Sequence, residues 1–96
     1  ISKNNIIILS IDELTQKYGV KLYPNPVQNS LNIQFLKIPN ERFSYQIIDV
    51  SGKVVGSGKL QSTQKQTIDI GVLASGNYRL LLKNSESEGV ISFIKI

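Results

Sequence analysis

The stretch Leu31-Asn32-Ile33-Gln34-Phe35 decides the class of fold. An extended chain turns successive side chains to opposite faces, so Leu31, Ile33 and Phe35 share one face while Asn32 and Gln34 take the other. The pattern recurs along the chain. Phe43, Tyr45 and Ile47 alternate with Ser44 and Gln46, and Ile48 and Val50 then place apolar groups on the opposite phase. Ile68 and Ile70 share a phase, as do Tyr78, Leu80 and Leu82. The segments between are turns. Pro24-Asn25-Pro26 closes a first strand over 20–24, Pro39-Asn40 turns the chain, and Asp49-Val50-Ser51-Gly52 leads into a return strand over 53–60. Residues 71–76 form a loop, 84–89 read as polar and turn-like, and 90–96 form a last strand. Seven mostly antiparallel strands with short connections result. Each one-sided apolar face needs another to cover it, so an all-β two-sheet sandwich is expected.

Composition agrees. The chain has 96 residues, a single-domain length, and carries fourteen Ile and seven Val against one Ala. β-branched side chains lose rotamer freedom in helices and pack well on a pleated surface. There is no His and no Cys. Nucleophile–histidine dyads, thiol chemistry and N/S zinc sites are therefore excluded. The net charge of +4 comes mostly from nine scattered lysines, with two arginines, Arg42 and Arg79. Nucleic-acid binders cluster their cations and interleave aromatics, so a nucleic-acid partner is not expected. Edge-strand lysines that block sheet-to-sheet association explain the charge better. No apolar run reaches the length of a membrane-spanning helix.

The first 19 residues read as a lead-in. Residues 6–11 form a short apolar run suited to a strand or a docked extended segment. Residues 12–19 place acids first, Lys17 late and Gly19 last, the order that suits one or two helical turns. The chain opens on Ile1, as a piece of a longer protein does.

Candidate sites carry little chemistry. Asp49, in Asp-x-x-Gly, can bond backbone N–H groups of its own turn while Gly52 supplies a positive φ. Asp69, between Ile68 and Ile70, points to solvent. Glu86 and Glu88 with Gly89 fall short of the oxygen set that calcium needs. Tyr18, Tyr23, Tyr45 and Tyr78 suggest a sugar-stacking platform, but Trp is absent and Tyr45 and Tyr78 lie on the apolar phase of their strands. Pro24 and Pro26 each fix φ and lack an N–H, setting a rigid corner around Asn25. No catalytic, metal or cofactor residue is assigned, and no small-molecule substrate is expected.

Taken in order, these residues are similar to one family. Leu22-Tyr23-Pro24-Asn25-Pro26, Ile48-Asp49-Val50-Ser51-Gly52-Lys53 and Gly76-Asn77-Tyr78-Arg79-Leu80, followed by a short last strand with Lys95, resemble the type A C-terminal sorting domain of the type IX (Por) secretion system. The resemblance covers residues 20–96. It implies an Ig-like β-sandwich that directs a covalently linked upstream cargo through the periplasm and across the outer membrane, to the cell surface or the medium. The implied partners are the translocon, an outer-membrane shuttle and a sortase-like cysteine protease that removes the label. The label itself is not an enzyme and needs no cofactor. Tyr23, Pro24, Asn25, Pro26, Asp49, Gly52, Gly76 and Tyr78 match family positions, each with a folding role. Gly89, Phe93, Lys95 and Ile96 fall in the tail and are the candidates for sorting and recognition. Ser92, Ile94 and Ile96 share one face of the last strand, and Ile91, Phe93 and Lys95 the other. With apolar groups on both, either the domain covers both faces or one is left for a partner. A terminal edge strand also offers backbone groups for strand addition. The competing reading is a cell-surface β-sandwich that serves as a spacer or carbohydrate-binding module.

Overall fold

The structure is a computed structural model that describes the backbone of residues 7–9 and all of residues 16–96. It is a two-sheet β-sandwich. The strands are β1 (Ile7–Leu9), β2 (Lys21–Tyr23), β3 (Ser30–Gln34), β4 (Ser44–Ile48), β5 (Val54–Lys59), β6 (Lys65–Asp69), β7 (Gly76–Lys83) and β8 (Ser87–Lys95). One sheet has the order β2-β3-β6 and the other β1-β8-β7-β4-β5. The chain changes sheet between β1 and β2, between β3 and β4, between β5 and β6, and again between β6 and β7. That interleaving binds the two layers into one core, as in Ig-like sandwiches. The seven strands from β2 onward pair antiparallel throughout.

Alternation is obeyed where it was strongest. Leu31 and Ile33 are fully buried, and Phe35 nearly so. Tyr78, Leu80 and Leu82 all face the core, while Asn77, Arg79 and Lys83 are exposed. At one end of the core the Phe35 and Phe43 rings stack at 5.9 Å, and Tyr18 meets both edge-on. Edge-to-face contact sets the positive ring edge of one aromatic against the negative face of another. At the other end Tyr78 stacks on Phe93 at 5.7 Å, and its hydroxyl donates to the Ala74 carbonyl.

Three features depart from the sequence reading. First, the last strand is not an edge. β1 adds to it in parallel, from Ile7 opposite Ser87 to Leu9 opposite Gly89, and Val27 bridges to Lys95 farther along. Second, β8 starts at Ser87, inside the stretch read as a turn. The Asn84 side-chain oxygen accepts the N–H groups of Glu86 and Ser87, closing the turn early. Ser87 is then buried against the Tyr18 hydroxyl. Third, Tyr18 belongs to the core. Residues 16–18 are helical, and the earlier part of the expected helical turn lies outside the described residues. Gly19, at φ +62°, then brings the chain against Leu36.

Candidate functional site

The corner after β2 joins the two ends of the sandwich sequence. Both of its X–Pro peptide bonds, Tyr23–Pro24 and Asn25–Pro26, are cis. Beyond it the chain leaves the smaller sheet and runs beside the end of β8. The Val27 N–H donates to the Ile94 carbonyl at 2.8 Å, and the Ile96 N–H to the Val27 carbonyl at 2.9 Å. The Asn25 side-chain oxygen accepts the Ile94 N–H at 2.9 Å. Proline has no N–H to offer, so the Val27 N–H is the first backbone donor after Pro26, while the Asn25 side chain adds an acceptor for Ile94. Val27 itself is fully buried.

Next to this junction stands the turn between β4 and β5. Asp49 Oδ1 accepts the N–H of Ser51 at 2.9 Å, the N–H of Lys53 at 3.0 Å and the hydroxyl of Ser51 at 2.6 Å. The Ser51 hydroxyl and the Lys53 N–H hold the carboxyl below the usual aspartate range, and the Lys53 charge adds to this. Gly52 has φ +89°, a conformation open to glycine without strain. Asp69, by contrast, is exposed and accepts the Gly71 N–H.

Corner, turn and last strand enclose a concavity of about 490 Å³ at one end of the larger sheet, on its outer face. Asn25, Asp49, Tyr78 and Phe93, four residues singled out in the sequence, line it. Gly52 lies in the adjoining turn, and Gly76 opens β7 opposite Lys95. Tyr23 pairs with Asn32 in the smaller sheet, and Gly89 sits at the far end of β8 opposite Leu9. Pro24 and Pro26 are both exposed at the corner itself.

The tail residues divide by face. Phe93 is 1% exposed and Lys95 8%, both pointing inward. The Lys95 ammonium donates to the Ile96 carbonyl oxygen at 3.0 Å. Ile94 and Ile96, at 44% and 55% exposure, point outward. The outward apolar set includes Ile48, Val50 and Ile94 around Arg79. Its signal in the sequence was the phase switch at Ile48 and Val50, which puts apolar side chains on a face that antiparallel strands usually leave polar. Two of the four tyrosines, Tyr18 and Tyr78, are buried, so the four do not assemble into an exposed sugar platform. Among the described residues no cluster of His, Cys, Asp or Glu is suited to hold a metal.

The sandwich, its Pro-Asn-Pro corner and its Asp-x-x-Gly turn define a small all-β module. Residues 21–96 match the family described as secretion system C-terminal sorting domain. The chain belongs to that family, a family of type IX secretion sorting signals and not an enzyme family. Such a signal is attached to a cargo, engages the secretion machinery and marks the cargo for export toward the cell surface or the medium. No curated protein matches the chain.

Proposed function

We propose that this domain is a removable export label. The cargo crosses the periplasm. The outer-membrane shuttle and translocon of the type IX system then take up the sandwich, and a sortase-like cysteine protease separates it from the cargo. Residues 1–19 are the lead-in to the cargo and 20–96 the label proper, with Tyr18 as the anchor between them. The observation that carries this reading is the junction of Asn25 and Val27 with Ile94 and Ile96. It makes the integrity of the corner and the presentation of the tail one structural event, so machinery that reads the tail reads a folded domain. Gly89, Phe93 and Lys95 serve sorting by fixing β8, and Ile96 with its outward neighbours presents the surface.

The test is a fusion of signal peptide, fluorescent reporter and this chain. In a type IX-competent cell the reporter reaches the surface or medium. In a strain lacking the translocon it stays periplasmic. Equal export from both strains removes the proposal.

A further inference from the structure

Outer faces of antiparallel sheets are usually polar, because only one face packs on the core. The five-stranded sheet breaks that rule around one cation. Arg79 projects outward from the middle of β7, opposite Ile48 on one side and Ser92 on the other. Ile48, Val50 and Ile94 flank it in the same concavity, with Val50 79% exposed. Among the described residues its guanidinium forms no hydrogen bond or ion pair. Asp49 is the one carboxylate of the lining, and its Oδ1 is turned into its own loop. Farther along the face, Lys83 lies directly opposite Glu88 in the sheet register. Among the described residues Arg79 therefore stands in this concavity without a carboxylate partner.

We infer that the concavity around Arg79 docks an acidic, apolar-flanked extended segment of the protein partner that reads the sorting domain. This rests on the sorting reading above. An arginine set among exposed apolar side chains is the composition of interface hot spots, where desolvation strengthens a carboxylate–guanidinium pair. Asn77 and Ser92 stand beside it to bond the backbone or the second carboxylate oxygen. A second copy of the chain is the wrong occupant. It would bring another unmatched arginine to the face, on a protein already at +4.

Two measurements test the inference. The purified domain is titrated with a capped Val-Glu-Val-Glu-Val peptide and with its Val-Lys counterpart, while the Arg79 Nε–H and the Ile48 and Ile94 methyl resonances are followed. The acidic peptide shifts all three, and Arg79→Gln weakens its binding about tenfold, the effect of losing one charged hydrogen-bonded pair. Arg42→Gln leaves binding unchanged. Equal shifts with the lysine peptide, no shifts, or shifts confined to another face overturn it. In cells, Arg79→Glu in the reporter fusion melts like the parent yet accumulates in the periplasm, and Arg79→Lys is exported. If the parent is exported and Arg79→Glu is exported equally well, this docking surface is wrong and the sorting reading stands. If the parent itself is not exported, the sorting reading fails, and the peptide titration alone decides whether the surface binds acidic segments.

Discussion

The side chain of Asn25 holds the main chain of Ile94: its oxygen accepts the Ile94 N–H at 2.9 Å across 69 residues of sequence. The proline after Asn25 prevents the corner from supplying a backbone donor of its own, so the ladder beside β8 resumes only at Val27. Asn25→Ala therefore leaves the Ile94 N–H to water and loosens the end of β8. A loss of about 1 kcal/mol is expected, the usual net value of one hydrogen bond. Hydrogen exchange checks it: the Ile94 amide should exchange faster while the β4 amides do not. Unchanged protection of Ile94 refutes the assignment. Asn25→Asp keeps the acceptor and should protect Ile94 as the parent does.

Gly19 makes the second prediction. It has φ +62°, and a Cβ built on it falls well inside the van der Waals shell of the Leu36 Cβ, with the Leu36 N at 3.3 Å. The Gly19 carbonyl also accepts the Leu36 N–H. Gly19→Ala must strain its backbone and push two chain segments apart, costing about 2 kcal/mol or more. Gly52 is the control, since its φ is +89° but a Cβ there meets nothing within 4 Å. Gly52→Ala pays only the backbone term, about 1 kcal/mol. Urea melts of the two variants settle it, and equal losses would remove the steric argument.

The contrast between Tyr18 and Leu31 explains what the sequence could and could not disclose. Leu31, Ile33 and Phe35 were legible because a period of two leaves one face apolar, and such a face must be covered. Tyr18 sits in a non-periodic segment ahead of a glycine, and nothing local says that its ring closes the Phe35–Phe43 stack. Ser87 and Glu88 look like turn residues because they are polar, yet the Tyr18 hydroxyl gives Ser87 a buried partner. The pairing of β1 with β8 joins segments at opposite ends of the chain, and alternation carries no information about partners. The site shows the same split. Turn chemistry at Asp49 and Gly52 is local and readable. The basin around Arg79 exists only because β4, β7 and β8 lie side by side.

Acid should loosen the Asp49 turn. The native carboxyl is held below the ordinary aspartate value, chiefly by the Ser51 hydroxyl and the Lys53 N–H. In the unfolded chain it titrates at the ordinary value. Its contribution to stability is therefore complete above the ordinary aspartate range and is lost as pH falls through the lowered native value. Asp49→Asn removes that dependence. Thermal melts of parent and variant should converge on acidification from neutral pH. A carboxyl resonance of Asp49 that titrates at or above the ordinary value would contradict the geometry.

The last prediction separates packing from reading at Lys95. Its side chain faces the core at 8% exposure, beside Phe93 on the inner phase of β8, and its ammonium donates to the Ile96 carbonyl oxygen. A lysine placed this way contributes its aliphatic stem to packing and keeps only its tip near water. Lys95→Ala removes the stem and is expected to cost about 1–2 kcal/mol, the burial of two or so methylenes. Lys95→Met keeps a stem of similar length and gives up only the charge and one hydrogen bond. It should melt within about 1 kcal/mol of the parent, the usual net value of the one hydrogen bond it gives up. In the reporter fusion Lys95→Met should be exported like the parent, while Lys95→Ala should lose export in proportion to the unfolded fraction. Lowering the temperature should restore it if melts show that the variant refolds there. A Lys95→Met variant that melts like the parent but stays in the periplasm would show that the machinery reads the ammonium directly, and the structural role assigned to Lys95 would fall.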